Sequence, residues 1–183
     1  MAATQRGHAQ WRLFWIFYLI GLGVFAYVAA TNSALATDVS PGGILDHQSA
    51  GTGVRADQIH AAWKAKGMFD FAAVSMSLDL VFITFATIAG VMAGYLMARA
   101  GGARGMLGWT VLLVWIVFGA CDYIETGCQL VQVLQDAGSD ELAGLAATVK
   151  PPKIAAFFAG TLALWAGLVW TWFARPRAAP QSS

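Results

Sequence analysis

The sequence predicts an all-α protein: a four-helix transmembrane bundle with a long outer loop carrying a short amphipathic helix. Three observations predict it. Of the 183 residues, 58% are hydrophobic and only 11% charged, and the mean hydropathy is +0.60, a balance found in chains whose helices face lipid. Four stretches, approximately Leu13–Ala30, Phe69–Ala98, Met106–Leu134 and Ile154–Phe173, reach the roughly 20 apolar residues that a helix needs to cross a bilayer. The third carries a polar stripe. At 100° per residue, Asp122, Glu125, Gln129, Gln132 and Asp136 fall within roughly an 80° arc of one face, with Val, Leu and Ile opposite. Such a face turns towards protein or water rather than lipid, and ionisable groups at bilayer depth mark a functional site by default.

The chain is expected to be a single integral membrane domain over residues 1–183, with an outer loop at 31–67. Arg6 and Arg12 precede the first span, Arg99 and Arg104 sit between the second and third, and Arg175 and Arg177 follow the fourth. All six share one side if both termini are cytoplasmic, as positive charge near membrane segments dictates. Trp11 and Trp15 flank the entry of the first span in the manner of interfacial aromatics. A competing reading of this segment is a signal peptide cleaved after Ala34-Leu35-Ala36. The apolar stretch is longer than a usual signal core and crowded with aromatics, so an uncleaved span is preferred. The net charge of +1 gives no reason to expect a nucleic-acid partner.

The outer loop is rich in Gly and Ser around Pro41-Gly42-Gly43 and Ser49–Gly53. From Val54 to Lys66, Val54, Ile59, Ala62 and Trp63 gather on one side, and Gly67 stops the segment. It reads as an amphipathic helix lying on the outer membrane surface, or else as a solvated connector. The second span places Ser75 and Asp79 on one face, with Asp79 about 15 Å below the outer end. Asp122 reaches a similar depth from the antiparallel third span, and Glu125 sits one turn nearer the outside. Asp70 reads as an interfacial cap. Gly101-Gly102-Ala103-Arg104-Gly105 reads as a tight cytoplasmic turn and 136–150 as a polar outer loop. Pro151 and Pro152 then open the fourth helix, where proline is tolerated, which puts Lys153 in its first turn. That lysine either snorkels to lipid phosphates or bends inward to Glu125 or Asp136; the inward pairing is preferred, since the carboxylates have no other intramembrane cation.

Ser77-Leu78-Asp79-Leu80-Val81-Phe82 and Asp122-Tyr123-Ile124-Glu125-Thr126 resemble the LDLVFP-like and DYLEN-like motifs of a group of uncharacterised small bacterial four-span membrane proteins. An amphipathic stretch ending in Gly before the second span belongs to the same pattern. Ile83 stands where that pattern has proline, and Thr126 where it has asparagine. The resemblance implies the architecture and a bacterial inner (cytoplasmic) membrane, singles out Asp79, Asp122 and Glu125, and implies no activity.

Three carboxylates together in a low-dielectric bundle cannot all stay charged without a compensating cation, and their protons belong to the cluster. One protonated acid beside one ionised one is the arrangement that general acid–base chemistry needs. The leading expectation is an enzyme of isomerase, cyclase or hydratase type on a lipid-like or isoprenoid substrate. In it Asp122 and Glu125 serve as acid and base, Asp79 tunes them, and Ser75, Gln129, Gln132, Lys153 and Trp63 contact substrate. A second reading is a non-catalytic binding protein for lipid, protons or a small cation, or an accessory subunit with a membrane-protein partner or a second copy of itself. Conduction is disfavoured, because Met106–Phe118 is apolar except for Thr110. A third reading makes the acids structural glue between helices, where a hydrogen bond contributes about 0.6 kcal/mol.

No cofactor is expected. Haem needs axial ligands such as histidine, and His8, His47 and His60 all lie outside the spans. Zinc needs a Cys/His/carboxylate cluster, and no histidine reaches the depth of the acids. Cys121 and Cys128 are ~10.5 Å apart along one helix, too far to form a disulfide with each other.

Overall fold

The computed structural model describes residues 2–173. Helix α1 spans Ala2–Thr31 and runs into a single 3-10 turn, Asn32–Leu35; the one-turn α2 is Ile44–His47, and α3 is Gly53–Ala65. The long helices α4, α5 and α6 cover Phe69–Ala98, Gly102–Gln135 and Asp140–Phe173. With α1 they make four helices long and apolar enough to cross a membrane, and no strand occurs among the described residues.

The four long helices pack in chain order, α1 on α4, α4 on α5 and α5 on α6. The tightest seam is α4 against α5 at the end away from α2 and α3. A Cβ on Gly108 would sit 2.3 Å from the backbone nitrogen of Ala98, and one on Gly94 would sit 2.5 Å from that of Leu112. Only hydrogen fits there, so the backbones approach as they do at small-residue membrane crossings. Around this seam Phe82, Ile83, Met97, Val111, Trp115 and Phe118 form the bundle core. Helices α1 and α6 close the row less completely, meeting through aromatic contacts such as Tyr18–Trp165 and Phe25–Phe157.

The segment between α1 and α4 packs onto the bundle. Residues Ala56, Ile59, His60 and Trp63 of α3 are buried at helical spacing, and Leu35, Ile44, Met76 and Val133 complete this second core. Val54, expected on the apolar side, is 69% exposed. Trp63 is fully buried and its indole N–H donates to the Leu35 carbonyl at 2.8 Å. Burial of Trp63 outweighs interfacial placement because the indole finds both an apolar wall and an acceptor. The segment is thus a folded cap. Polar contacts fasten it at its edges: Gly53 N–H donates to Asp140 at 2.7 Å, Arg55 to the Val39 carbonyl at 2.6 Å, and Lys64 pairs with Asp136. Gly67, at φ +72°, ends α3 in a Schellman motif, with Met68 N–H donating to the Trp63 carbonyl. Asp136 ends α5 in the same way at φ 52°, a left-handed conformation that Asp tolerates.

Two boundaries differ from expectation. The turn between α4 and α5 is shorter than a Gly101–Gly105 loop, since Gly101 and Gly102 alone take positive φ and α5 starts at Gly102. More consequentially, α6 begins at Asp140, so most of the expected 136–150 loop is helix, and Pro151 and Pro152 lie inside α6 rather than at its start. Each proline removes an N–H, leaving the carbonyls of Ala147 and Thr148 without their helical donors. The flanking turns hold, because Asp140 and Glu141 occupy the first turn where the helix dipole favours acids, and α6 packs along α5. Lys153 is therefore four turns into its helix, not at its mouth.

Candidate functional site

The site is assembled from α4, α5 and α6 on the cap side of the bundle core. Helix α5 presents Asp122, Glu125, Gln129 and Gln132 of the stripe, all buried together with Thr126, whereas Asp136, the last of the stripe, is exposed. Helix α4 contributes Asp79, and Thr126 Oγ1 donates to its Oδ2 at 3.1 Å. The residue that departs from the DYLEN-like pattern thus supplies a hydroxyl to the neighbouring aspartate. Helix α6 contributes Lys153, whose ammonium lies 3.2 Å from Asp122 Oδ1 and pairs with Glu125 Oε2. The side chain turns inward, and Asp136, the other expected partner, is taken by Lys64. Being four turns inside α6 puts Lys153 beside the acids without stretching.

Charge is unevenly distributed over these groups. One ammonium serves two carboxylates, while Asp79 holds only the Thr126 hydroxyl. Glu125 is fully buried, and its Oε1 has no hydrogen-bond partner. Buried ionic groups are tolerated only when paired and hydrogen-bonded, so the cluster as drawn is short of either positive charge or protons.

A cavity of about 370 Å³ reaches this cluster. Its inner end carries Asp79, Asp122 and Lys153, with Asn32 and Gln48 from the cap, and Lys150 lines it from a partly exposed position. Its walls are Val28, Ala29, Phe82, Phe118 and Phe157, and its rim is Phe25, Leu45, Ile154 and Phe158, which are 40%, 53%, 42% and 62% exposed. The opening lies between α1 and α6, where the row of helices is least closed. An apolar chamber with a few convergent polar groups has the make-up of a small-molecule site. A larger cavity, about 610 Å³, opens at the opposite end among Trp11, Trp15, Trp165 and Arg104. It holds no carboxylate and is remote from the stripe.

Of the residues expected to contact substrate only Lys153 lines the smaller cavity, and of the expected catalytic acids Asp79 and Asp122 do. Glu125 sits behind Lys153. Ser75 is buried in α4, one turn from Asp79. Gln132 holds the turn into α6, donating to the Cys128 carbonyl at 3.1 Å and accepting from Ser139 N–H at 3.1 Å. Trp63 belongs to the cap core. Asp70 is exposed in the first turn of α4, and both cysteines are free.

Sequence reasoning missed one arrangement. His47 of α2 and His60 of α3 are both 2% exposed, and their Nε2 atoms are 2.9 Å apart. Burial holds the His47 imidazole down at about 3, helped by its neighbour, and opposed by the Gln129 amide beside it. Burial also lowers His60, against the pull of Asp57 and Asp136. Both rings are therefore neutral at pH 7. The available signal was the position of His60 between Ile59 and Trp63 on the apolar face of α3. No group of three or more His, Cys, Asp or Glu suited to a metal ion occurs among the described residues.

The chain matches no family model, and no curated protein or solved structure matches it.

Proposed function

We propose that this is a multi-pass protein of a bacterial inner membrane, with both termini cytoplasmic, and that it binds a lipid-like molecule laterally and performs acid–base chemistry on it. The carrying observation is the cavity between α1 and α6, apolar at its exposed rim and charged at its inner end. A ligand entering from the acyl-chain region would lay its tail against Phe25, Phe157 and Phe158 and bring its polar end to Asp79 and Asp122. Asp122, held by Lys153, is the ionised carboxylate and acts as base. Asp79, with no cation against it, is the proton-bearing acid. Glu125 shares Lys153 and positions it, a change from the pairing of Asp122 with Glu125 that the sequence suggests. Two carboxyl groups kept in opposite protonation states by their surroundings suit an isomerisation, cyclisation or hydration. The likeness of the two motifs to those of small bacterial four-span proteins supports the architecture and the location.

The test is extraction and mass spectrometry of lipids retained by the purified protein. Wild type is compared with Asp79→Asn/Asp122→Asn and with Ala29→Trp, which fills the chamber without touching a carboxylate. A discrete amphiphile retained by wild type and lost in Ala29→Trp, with the fold intact by circular dichroism, is the expected result. Unselective bulk lipid in all three would leave the carboxylates as interhelical glue and overturn the proposal.

A further inference from the structure

Between the carboxylates and the cap surface stands the histidine pair, which the acid–base site leaves unused. Their Nε2 atoms are hydrogen-bonded, so one ring donates its Nε2–H to the lone pair of the other. Both Nδ1 atoms are buried and without a hydrogen-bond partner, as are Gln129 Nε2 and Glu125 Oε1. These orphaned atoms belong to α2, α3 and the buried face of α5. His60 is on α3, one turn from Asp57 and one from Lys64, and feels Asp57, Lys64 and Asp136. Asp136 and Lys64 are 48% and 45% exposed. His47 is against the Gln129 amide, and Glu125 follows one turn along α5, ~6 Å away, a step that one bridging water covers. Trp63 and Phe69 wall the pair. Orphaned buried polar atoms are rare and call for a role.

We propose that His60 and His47 are a proton relay from the cap surface to Glu125 and the carboxylate cluster, with Gln129 positioning the water that bridges the last step. This rests on the acid–base reading above, in which each turnover leaves Asp79 a proton short and Asp122 a proton over, and it lets the cluster exchange protons with water to reset. A proton entering from water near Asp57 and Asp136 adds to the bare Nδ1 of His60. The Nε2–H of His60 passes to Nε2 of His47, and the Nδ1–H of His47 passes to a water held by the Gln129 amide, which gives up a proton to the Glu125 carboxylate. One proton enters and one leaves. The rings exchange tautomers, and the outward transfer of the proton that Asp122 has taken from the substrate restores them, so neither ring holds a lasting charge. Glu125, bonded to Lys153, hands the proton on to the cluster that borders the cavity.

The experiment follows the carboxylic-acid C=O infrared band of the full chain in sealed vesicles of one orientation after a pH jump on either face. The band is assigned by its loss in Asp79→Asn. In wild type a jump on the cap face moves the band at least about tenfold faster than a jump on the far face, the effect of a barrier difference of about 1.4 kcal/mol. His47→Gln and His60→Gln, which keep polar bulk but relay no proton, abolish that advantage. Equal rates from both faces in wild type overturn the relay with no substitution needed. An unchanged rate in a folded His47→Gln protein overturns it as well. Lipid retention measured on the same samples separates the two proposals: ligand bound with a histidine-independent response refutes the relay alone, and a histidine-dependent response without ligand refutes the lipid-substrate reading alone.

Discussion

Lys153→Met is the most informative single change, because it removes the one cation, among the described residues, in contact with Asp122 and Glu125 while keeping most of the length and the apolar stem of the side chain. Removing one partner of a buried ion pair costs about 3–5 kcal/mol, since the remaining charge has no solvent to turn to. For a chain of this size each kcal/mol moves the melting temperature by about 2–4 °C, so a fall of about 6–20 °C is expected. Thermal unfolding of the detergent-purified protein, followed by circular dichroism and by loss of the monodisperse peak on size exclusion, measures it. The triple variant Lys153→Met/Asp122→Asn/Glu125→Gln is expected to recover most of the loss, since neutral groups of similar volume replace buried ion pairs without penalty in many proteins. A drop of less than about 2 °C for Lys153→Met, under about 1 kcal/mol, would mean that the acids do not depend on Lys153. The charge distribution assigned to the site would then be wrong.

Three further outcomes test the fold and the cap. Trp63→Ala should cost about 3–5 kcal/mol and release α3, read as rapid hydrogen exchange of residues 53–65 with α4 and α5 still protected. Gly108→Ala should destabilise by about 1–3 kcal/mol by forcing the α4 and α5 backbones apart; Gly127→Ala, where nothing lies within 4 Å of the added methyl, should leave the melting temperature unchanged or slightly higher. Acidification should loosen the cap. The unfolded chain takes up a proton on His47 below about pH 6.5, whereas the folded chain resists until about pH 3, so stability is level above pH 6.5 and falls below it by about 1.4 kcal/mol per pH unit. His47→Gln should flatten that slope, and a cap equally stable at pH 4 and pH 7 would contradict the buried, neutral pair.

The long helices were legible because their signal is local. Apolar length defines α4, and the polar stripe on α5 names the buried face residue by residue, so Asp79 and Asp122 meet as their depths require. What was not legible depends on partners distant in sequence. The start of α6 was misplaced because two prolines are a strong local reason to begin a helix, and the contacts that hold the preceding turns, such as Gly53 N–H on Asp140, come from another element. Gln132 looks like a site residue by its angle on α5 but is spent on the turn that follows. His47 and His60 lie on separate short helices, and only the folding of the cap brings their rings together.

The position of the neutralising charge has a consequence for biosynthesis. Asp79, Asp122 and Glu125 are all translated before Lys153, so the acidic helices emerge ahead of the helix that carries their cation. Inserting an aspartate at the helix centre costs about 2.5–3.5 kcal/mol, and α4 and α5 offset that with their own apolar residues. Until α6 packs on α5 the acids lack Lys153, and its docking both completes the bundle and supplies the counter-charge. Assembly and neutralisation are a single late event, set by the order in which the helices are made.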